Sequence, residues 1–311
     1  MNAELNAAPV TAAAIPATKI RPFYWSVRRE LWENRSITIA PMIAAGIVLF
    51  GWAITSSDFA ERTRAALLLG PEKQHAMMNL HYGIAAILIM VTSIAVGMFY
   101  CLDALYGERR DRSILFWKSL PVSDLTAVLA KLAIPMAVLP LVACAVIVVT
   151  QFIMLLMSSA ALLANGMDAR AYWAQFPLFH ESGVLLYGLA TTAIWFAPIY
   201  GWLLLVSSWA QRSPLLWAVG TPLAVGAFEK LAFDTSHIWS LLKFRLNGGY
   251  AEAFVFNLPA AGAPRPQQMH IPDAIPDPTH FLTSPGMWLG IAAAAALIFA
   301  VIRLRRYRDP I

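Results

Sequence analysis

Charge is scarce in this chain. Of its 311 residues, 13% are Asp, Glu, Lys or Arg, against about 25% in soluble domains. With 59% apolar residues and a mean hydropathy of +0.61, that scarcity excludes an ordinary water-soluble domain and predicts a protein of the membrane. Cysteine is nearly missing as well: Cys101 and Cys144 both fall inside apolar runs, which excludes a disulfide framework. No lysine follows a glycine, so the phosphate-cradling Gly-Lys-Ser/Thr turn is absent and the chain holds no nucleotide loop of its own.

The net charge of +5 and pI near 9.3 do not point to nucleic acid. The basic residues are not gathered into a soluble basic domain; they stand at the ends of apolar runs, where orienting charges stand. Metal is not expected either. His75 and His81 are off the i, i+4 spacing that puts two imidazoles on one helix face, and no HExxH pair exists. All six histidines read as loop residues.

Six stretches are long enough to cross a bilayer, which takes about 20 helical residues. They are Ile37–Thr55, Gly83–Leu105, Leu132–Met157, Gly183–Val206, Leu215–Phe233 and Pro285–Leu304. Residues 1–20, rich in Ala and Pro, lack an export-type apolar core and read as a disordered cytoplasmic tail. Most of the 23 Lys and Arg lie on one side of these spans, in the segment before the first, between the second and third, and after the sixth. This bias predicts both termini in the cytoplasm. The expected fold is an all-α integral membrane protein, a single six-span domain over residues 21–311.

Three connections stand out. Residues 21–36, RPFYWSVRRELWENRS, place Phe23, Val27, Leu31 and Trp32 at helical spacing. Trp25, Arg28, Arg29, Glu30 and Glu33 sit among them. An aromatic and arginine-rich helix beside a span suits the membrane interface, rings in the headgroup layer and charges in water. Residues 234–284 form a long outer loop containing Pro259, Pro264, Pro266, Pro272, Pro276 and Pro278. A helix is expected over His237–Leu246, turning irregular at Asn247-Gly248-Gly249.

The third is the polar bridge over residues 106–131, YGERRDRSILFWKSLPVSDLTAVLAK. It places Arg109, Arg110, Arg112, Lys118 and Lys131 around the apolar run Ile114–Trp117. Pro121 ends that run, and Ser123-Asp124 can cap the helix that follows.

The spans carry few ionisable residues. Asp103 lies near the inner end of the second, and Glu229 with Lys230 near the outer end of the fifth. Either acid could serve an ion-coupled carrier. A membrane enzyme with an external metal site is a third class, and it would be recognised by bound zinc. Pro135, Pro140, Pro198 and Pro222 interrupt spans, and Gly286, Gly290 and Ala294 line one face of the sixth, as close helix approach requires.

An interfacial helix, six spans, a charged bridge after the second and a long outer loop before the sixth together resemble the membrane subunit of a bacterial ABC-2 type transporter. The local match is Glu108-Arg109-Arg110-Asp111-Arg112-Ser113, then Leu120-Pro121-Val122-Ser123, then Lys131. The chain departs from the family pattern in carrying Ile114-Leu115-Phe116-Trp117 after the serine. The resemblance implies an exporter permease of the bacterial inner membrane, paired with a second copy or paralogue, and with no active site of its own. Two copies of a cytoplasmic ATPase subunit would bind ATP and Mg. It further implies that Arg110–Leu120 is the coupling helix, with Ile114, Phe116, Trp117 and Leu120 as apolar anchor and Arg109, Arg110 and Arg112, beside Glu108, as charged rim. Phe23, Trp25, Arg28, Arg29 and Trp32 would belong to the interfacial elbow. Spans rich in Trp, Met, Leu and Ala suit lipid, peptide or hydrophobic drug equally.

Overall fold

The computed structural model describes residues 21–55, 71–113, 122–170, 173, 178–256 and 274–307. Helix α1 (Pro22–Glu33) leads into α2 (Ser36–Thr55). A long α3 (Pro71–Ala104) is followed after one residue by the short α4 (Tyr106–Arg110). Beyond the bridge come α5 (Asp124–Ala133), a π turn (Ile134–Val138) and α6 (Leu139–Ala164), which run on as one rod. Then follow α7 (Leu178–Trp209), α8 (Pro214–Phe233) and α9 (His237–Ala253). A two-stranded antiparallel ribbon pairs β1 (Phe254–Phe256) with β2 (Ala274–Pro276), Val255 opposite Ile275. Helices α10 (Pro278–Thr283) and α11 (Pro285–Tyr307) close the described chain.

Six helices are long and apolar enough to cross a membrane: Ser36–Thr55, His81–Arg110, Asp124–Ala164, Leu178–Trp209, Pro214–Phe233 and Pro285–Tyr307. They fall on the six stretches expected from the sequence, and they make an all-α bundle of multi-pass membrane character. The bundle is unevenly filled. The apolar window of α7 is 61% buried and that of α8 11%, so α7 is the central post and α8 stands at the edge.

Pro135 explains the π turn. Proline has no N–H to give to the carbonyl four residues earlier, and its ring crowds that turn. The chain widens there instead, and Leu139 donates to the carbonyl of Ile134, five residues back. The third span thus accommodates its proline without ending. The bulge packs on Gly97 of α3, where an added Cβ would meet Leu139 Cδ1 at 3.2 Å and Pro135 Cβ at 3.4 Å.

One expectation is overturned: α9 does not turn irregular at Asn247-Gly248-Gly249 but continues to Ala253. Two glycines in a helix cost about 1 kcal/mol each relative to alanine. Trp195, 1% exposed at the centre of α7, supplies the reason they are kept. A Cβ on Gly249 would lie 2.7 Å from Trp195 Cγ, and one on Gly248 3.2 Å from its Cζ2. The glycines bring the α9 backbone against the indole, and that packing holds the helix through them. The small-residue face of α11 works in the same way. Gly286 and Gly290 receive Phe244 and Arg245 of α9, while Ala294 lies beside Gly201 of α7.

Candidate functional site

The two ends of the polar bridge meet inside the protein. Ser123 accepts from the Thr126 backbone N–H at 3.1 Å and starts α5 as a helix cap. Asp124, Val128 and Lys131 then fall at i, i+4 and i+7, one face of that helix, and Val128 is completely buried. On α1, Val27, Glu30 and Leu31 form an inward stripe, with Val27 and Leu31 packed on the main apolar core. Glu108 of α4 and Arg305 in the last turn of α11 come to the same place.

There they form a closed set of ion pairs. Glu30 accepts from Lys131 Nζ at 2.8 Å and from Arg29 Nη2 at 2.7 Å through Oε1, and from the Tyr100 hydroxyl at 2.7 Å through Oε2. Glu108 accepts from Arg29 at 3.0 Å, from Lys131 at 3.1 Å and, through its other oxygen, from Arg305 at 2.9 Å. Arg305 also reaches Asp124 at 3.1 Å. Counting Glu33, which lies 3.4 Å from Arg29 Nε, four carboxylates face three bases, and charges of opposite sign alternate through the cluster. Its centre is enclosed: the side chains of Lys131, Glu30 and Arg305 are 3%, 4% and 5% exposed, while Arg29 and Asp124 at the edge are 22% and 29% exposed. Charges so enclosed persist only when every one is paired and hydrogen-bonded. At the rim, burial by itself lowers the Arg29 pKa, and the carboxylates of Glu30, Glu33 and Glu108 more than reverse it, leaving it above its ordinary value. Burial raises the Glu33 carboxyl despite Arg29 beside it.

Arg109 serves a second joint. Its Nη2 donates to the carbonyls of Ser207 and Ala210 at 2.9 and 2.6 Å. These carbonyls lie at the C-terminal end of α7, where helix oxygens lack partners and the helix dipole is negative. In return, the Ser207 hydroxyl accepts from the backbone N–H groups of Leu105 and Tyr106 at 3.0 and 2.9 Å, which lie at the junction of α3 and α4. Each helix end is capped by a side chain of the other.

Several assignments of side-chain direction are corrected by these contacts. Glu108 and Arg109 do not form an outer rim: both are buried, because pairing inside costs less than leaving the opposing bases and carbonyls unmet. Glu30 likewise turns inward, and Arg29 reaches it from the rim, although charged residues beside a span are expected in water. Arg110 and Arg112 are exposed. Arg110 pairs with Asp111 at 3.0 Å, and Arg112 takes a left-handed backbone with φ of 56°. Ile114, Phe116, Trp117 and Leu120 lie outside the described residues. On the outer face of α1, Phe23, Trp25 and Trp32 are exposed, and the Arg28 guanidinium lies 4.5 Å from the Trp32 ring centre and 5.2 Å from that of Trp25.

Sequence reasoning passed over Glu30, Tyr100, Asp124, Ser207 and Arg305 as members of a site. One signal was available for Glu30: it falls at i+3 from Val27 and precedes Leu31, inside the apolar stripe. Glu229 has a structural task. It accepts from Thr235 Oγ1 and from the backbone N–H groups of His237 and Ile238 at 2.7–2.8 Å, closing the turn into α9. Asp103 is exposed. Among the described residues no group of three or more His, Cys, Asp or Glu is placed to hold a metal ion. No family model, curated protein or solved structure matches this chain.

Proposed function

We propose that this chain is the permease subunit of an ATP-driven exporter of the ABC-2 type, with both termini and the bridge in the cytoplasm and α1 lying in the interface. A separate ATPase subunit binds ATP and Mg and grips the bridge through Ile114, Phe116 and Trp117, with Arg110 and Arg112 exposed beside them. A second permease copy or paralogue completes the path across the bacterial inner membrane. The observation that carries this reading is the buried charge cluster. Glu108 at one end of the bridge and Asp124 and Lys131 at the other are tied to α1 and to Arg305 of α11. A displacement of the bridge cannot be absorbed locally, since it would strand buried charges; it is passed to the first and last helices of the domain. The Arg109–Ser207 joint passes the same displacement to the central helix α7.

The test is co-purification of the tagged chain from its native host, with mass spectrometry of any ATPase that accompanies it. Wild type recovers an ATPase, and the Phe116→Asp/Trp117→Asp variant, inserted at normal levels, loses it. Recovery of no ATPase with the wild-type chain would overturn the reading in favour of an ion-coupled carrier.

A further inference from the structure

At the end of the bundle away from Glu30, Arg245 is a half-buried charge that meets no carboxylate among the described residues. It projects from α9 onto the start of α11, about 22 Å along that helix from Arg305. Its Nη2 donates to the Gly286 carbonyl at 2.6 Å, and its guanidinium lies 4.6 Å from the Trp195 ring centre. Trp195 also donates from Nε1 to the Arg245 carbonyl at 3.0 Å. The seat is cut to this side chain: a Cβ on Gly290 would fall 2.4 Å from Nη2 and 2.6 Å from Nη1. Yet Nη1 is enclosed and has no acceptor.

The contrast with the other buried bases is sharp. Lys131, Arg29 and Arg305 meet carboxylates, and Arg109 meets two carbonyls at the negative end of a helix. Arg245 has no carboxylate partner among the described residues. The nearest acidic residue in sequence, Glu252, faces His280 at 3.6 Å. The start of α11 is moreover the positive pole of its dipole, which adds to the guanidinium charge instead of offsetting it. An uncompensated cation at this depth is costly and is retained where something of opposite charge arrives.

Position and surroundings identify the class. Gly290 lies about 8 Å inside the start of α11, on a helix long and apolar enough to cross a membrane. Leu241 and Leu246 of α9 and Trp288 and Leu289 of α11 are exposed around it, a surface suited to acyl chains. Nη1 is enclosed, but Arg245 as a whole is half-buried, so its side chain stays within reach of an anion from the membrane side. A planar guanidinium matches the oxygens of a phosphate. We propose that Arg245, seated on Trp195 and Gly286, binds the phosphate headgroup of an anionic phospholipid.

The full-length chain, reconstituted in phosphatidylcholine nanodiscs with a minor share of phosphatidylglycerol, allows retained lipids to be counted by native mass spectrometry. The wild-type protein retains phosphatidylglycerol over phosphatidylcholine by about fivefold, the ratio expected of one cation near an anionic headgroup. Arg245→Gln abolishes the preference and Arg245→Lys keeps part of it. Millimolar inorganic phosphate leaves the lipid in place; if it displaces the lipid, the same guanidinium takes a free phosphate instead. Equal retention of the two lipids by the wild-type chain, which requires no variant to fold, overturns the proposal, as does an undiminished preference in Arg245→Gln.

Discussion

Lys131 Nζ lies 2.8 Å from Glu30 Oε1, across 101 residues of chain, and both side chains are almost fully enclosed. This contact joins the helix before the first span to the helix after the bridge. It does so with charge, where the surroundings on both sides are apolar. An ion pair of this kind contributes little net stability against an apolar replacement, but it is severe about its own loss.

Removing one partner strands the others. Lys131→Met leaves Glu30 and Glu108 short of a cation and destabilises the domain by about 3–5 kcal/mol. Adding Glu30→Gln to that variant recovers part of the loss, with a coupling of about 0.5–3 kcal/mol. Unfolding of the detergent-solubilised protein, followed by circular dichroism, measures all four corners of the cycle. Strict additivity would mean that the contact does not couple the two helices energetically.

Neighbouring arginines should behave oppositely. Arg109→Met leaves the carbonyls of Ser207 and Ala210 without their donor and costs about 1–3 kcal/mol. Arg110→Ala removes a side chain that is 55% exposed and shifts stability by no more than about 0.5 kcal/mol. Thermal unfolding midpoints of the two variants, compared in the same detergent, separate an inward from an outward arginine.

Gly249→Ala would stabilise an isolated helix by about 1 kcal/mol. Here the new methyl meets Trp195 Cγ at 2.7 Å, and overpacking of about 1–3 kcal/mol outweighs the gain. Combining it with Trp195→Leu relieves the clash, so the double variant is more stable than the sum of the two single changes. The same unfolding measurement reads both.

Asp277 supplies the pH-dependent element. Its carboxylate accepts from the His280 backbone N–H at 3.0 Å and from the Thr279 hydroxyl at 2.6 Å, capping α10. The backbone bond first, then the hydroxyl bond, hold its pKa below the ordinary carboxylate value. The unfolded chain therefore takes up the proton first as pH falls. The cap is at full strength above the ordinary carboxylate pKa and is lost as pH falls through the lowered one. Hydrogen exchange at the His280 amide, corrected for intrinsic rates, should lose protection over that acid range, and Asp277→Ala should show the same loss at neutral pH.

Much of the architecture was legible in the chain itself. Six apolar stretches, their ends marked by basic residues, can only become helices, because a backbone leaving water must satisfy its own N–H and C=O groups. The Ser123 cap was legible for the same local reason, a hydroxyl in reach of an orphan N–H. What failed was the direction of polar side chains. Arg109 and Arg110 are adjacent and chemically identical, yet one is buried and the other exposed. Periodicity cannot separate them, since the difference lies in the end of α7, about 100 residues away. The Asn247-Gly248-Gly249 stretch failed for a related reason. Glycine weakens a helix by local rules, and Trp195 reverses the outcome from another helix.

Composition and hydropathy by themselves determined the class, the number of long apolar helices and the stretch each one covers, because these follow from a chain's local contest between water and hydrocarbon. They did not determine the ends of the longer ones, which run on to Asp124–Ala164 and Leu178–Trp209. Only the tertiary structure decided which charges are paired with which, that Glu30, Glu108 and Lys131 belong to one cluster, and that Arg245 meets no carboxylate among the described residues. A charge's partner is set by what other helices bring within about 4 Å, and sequence distance carries no information about that.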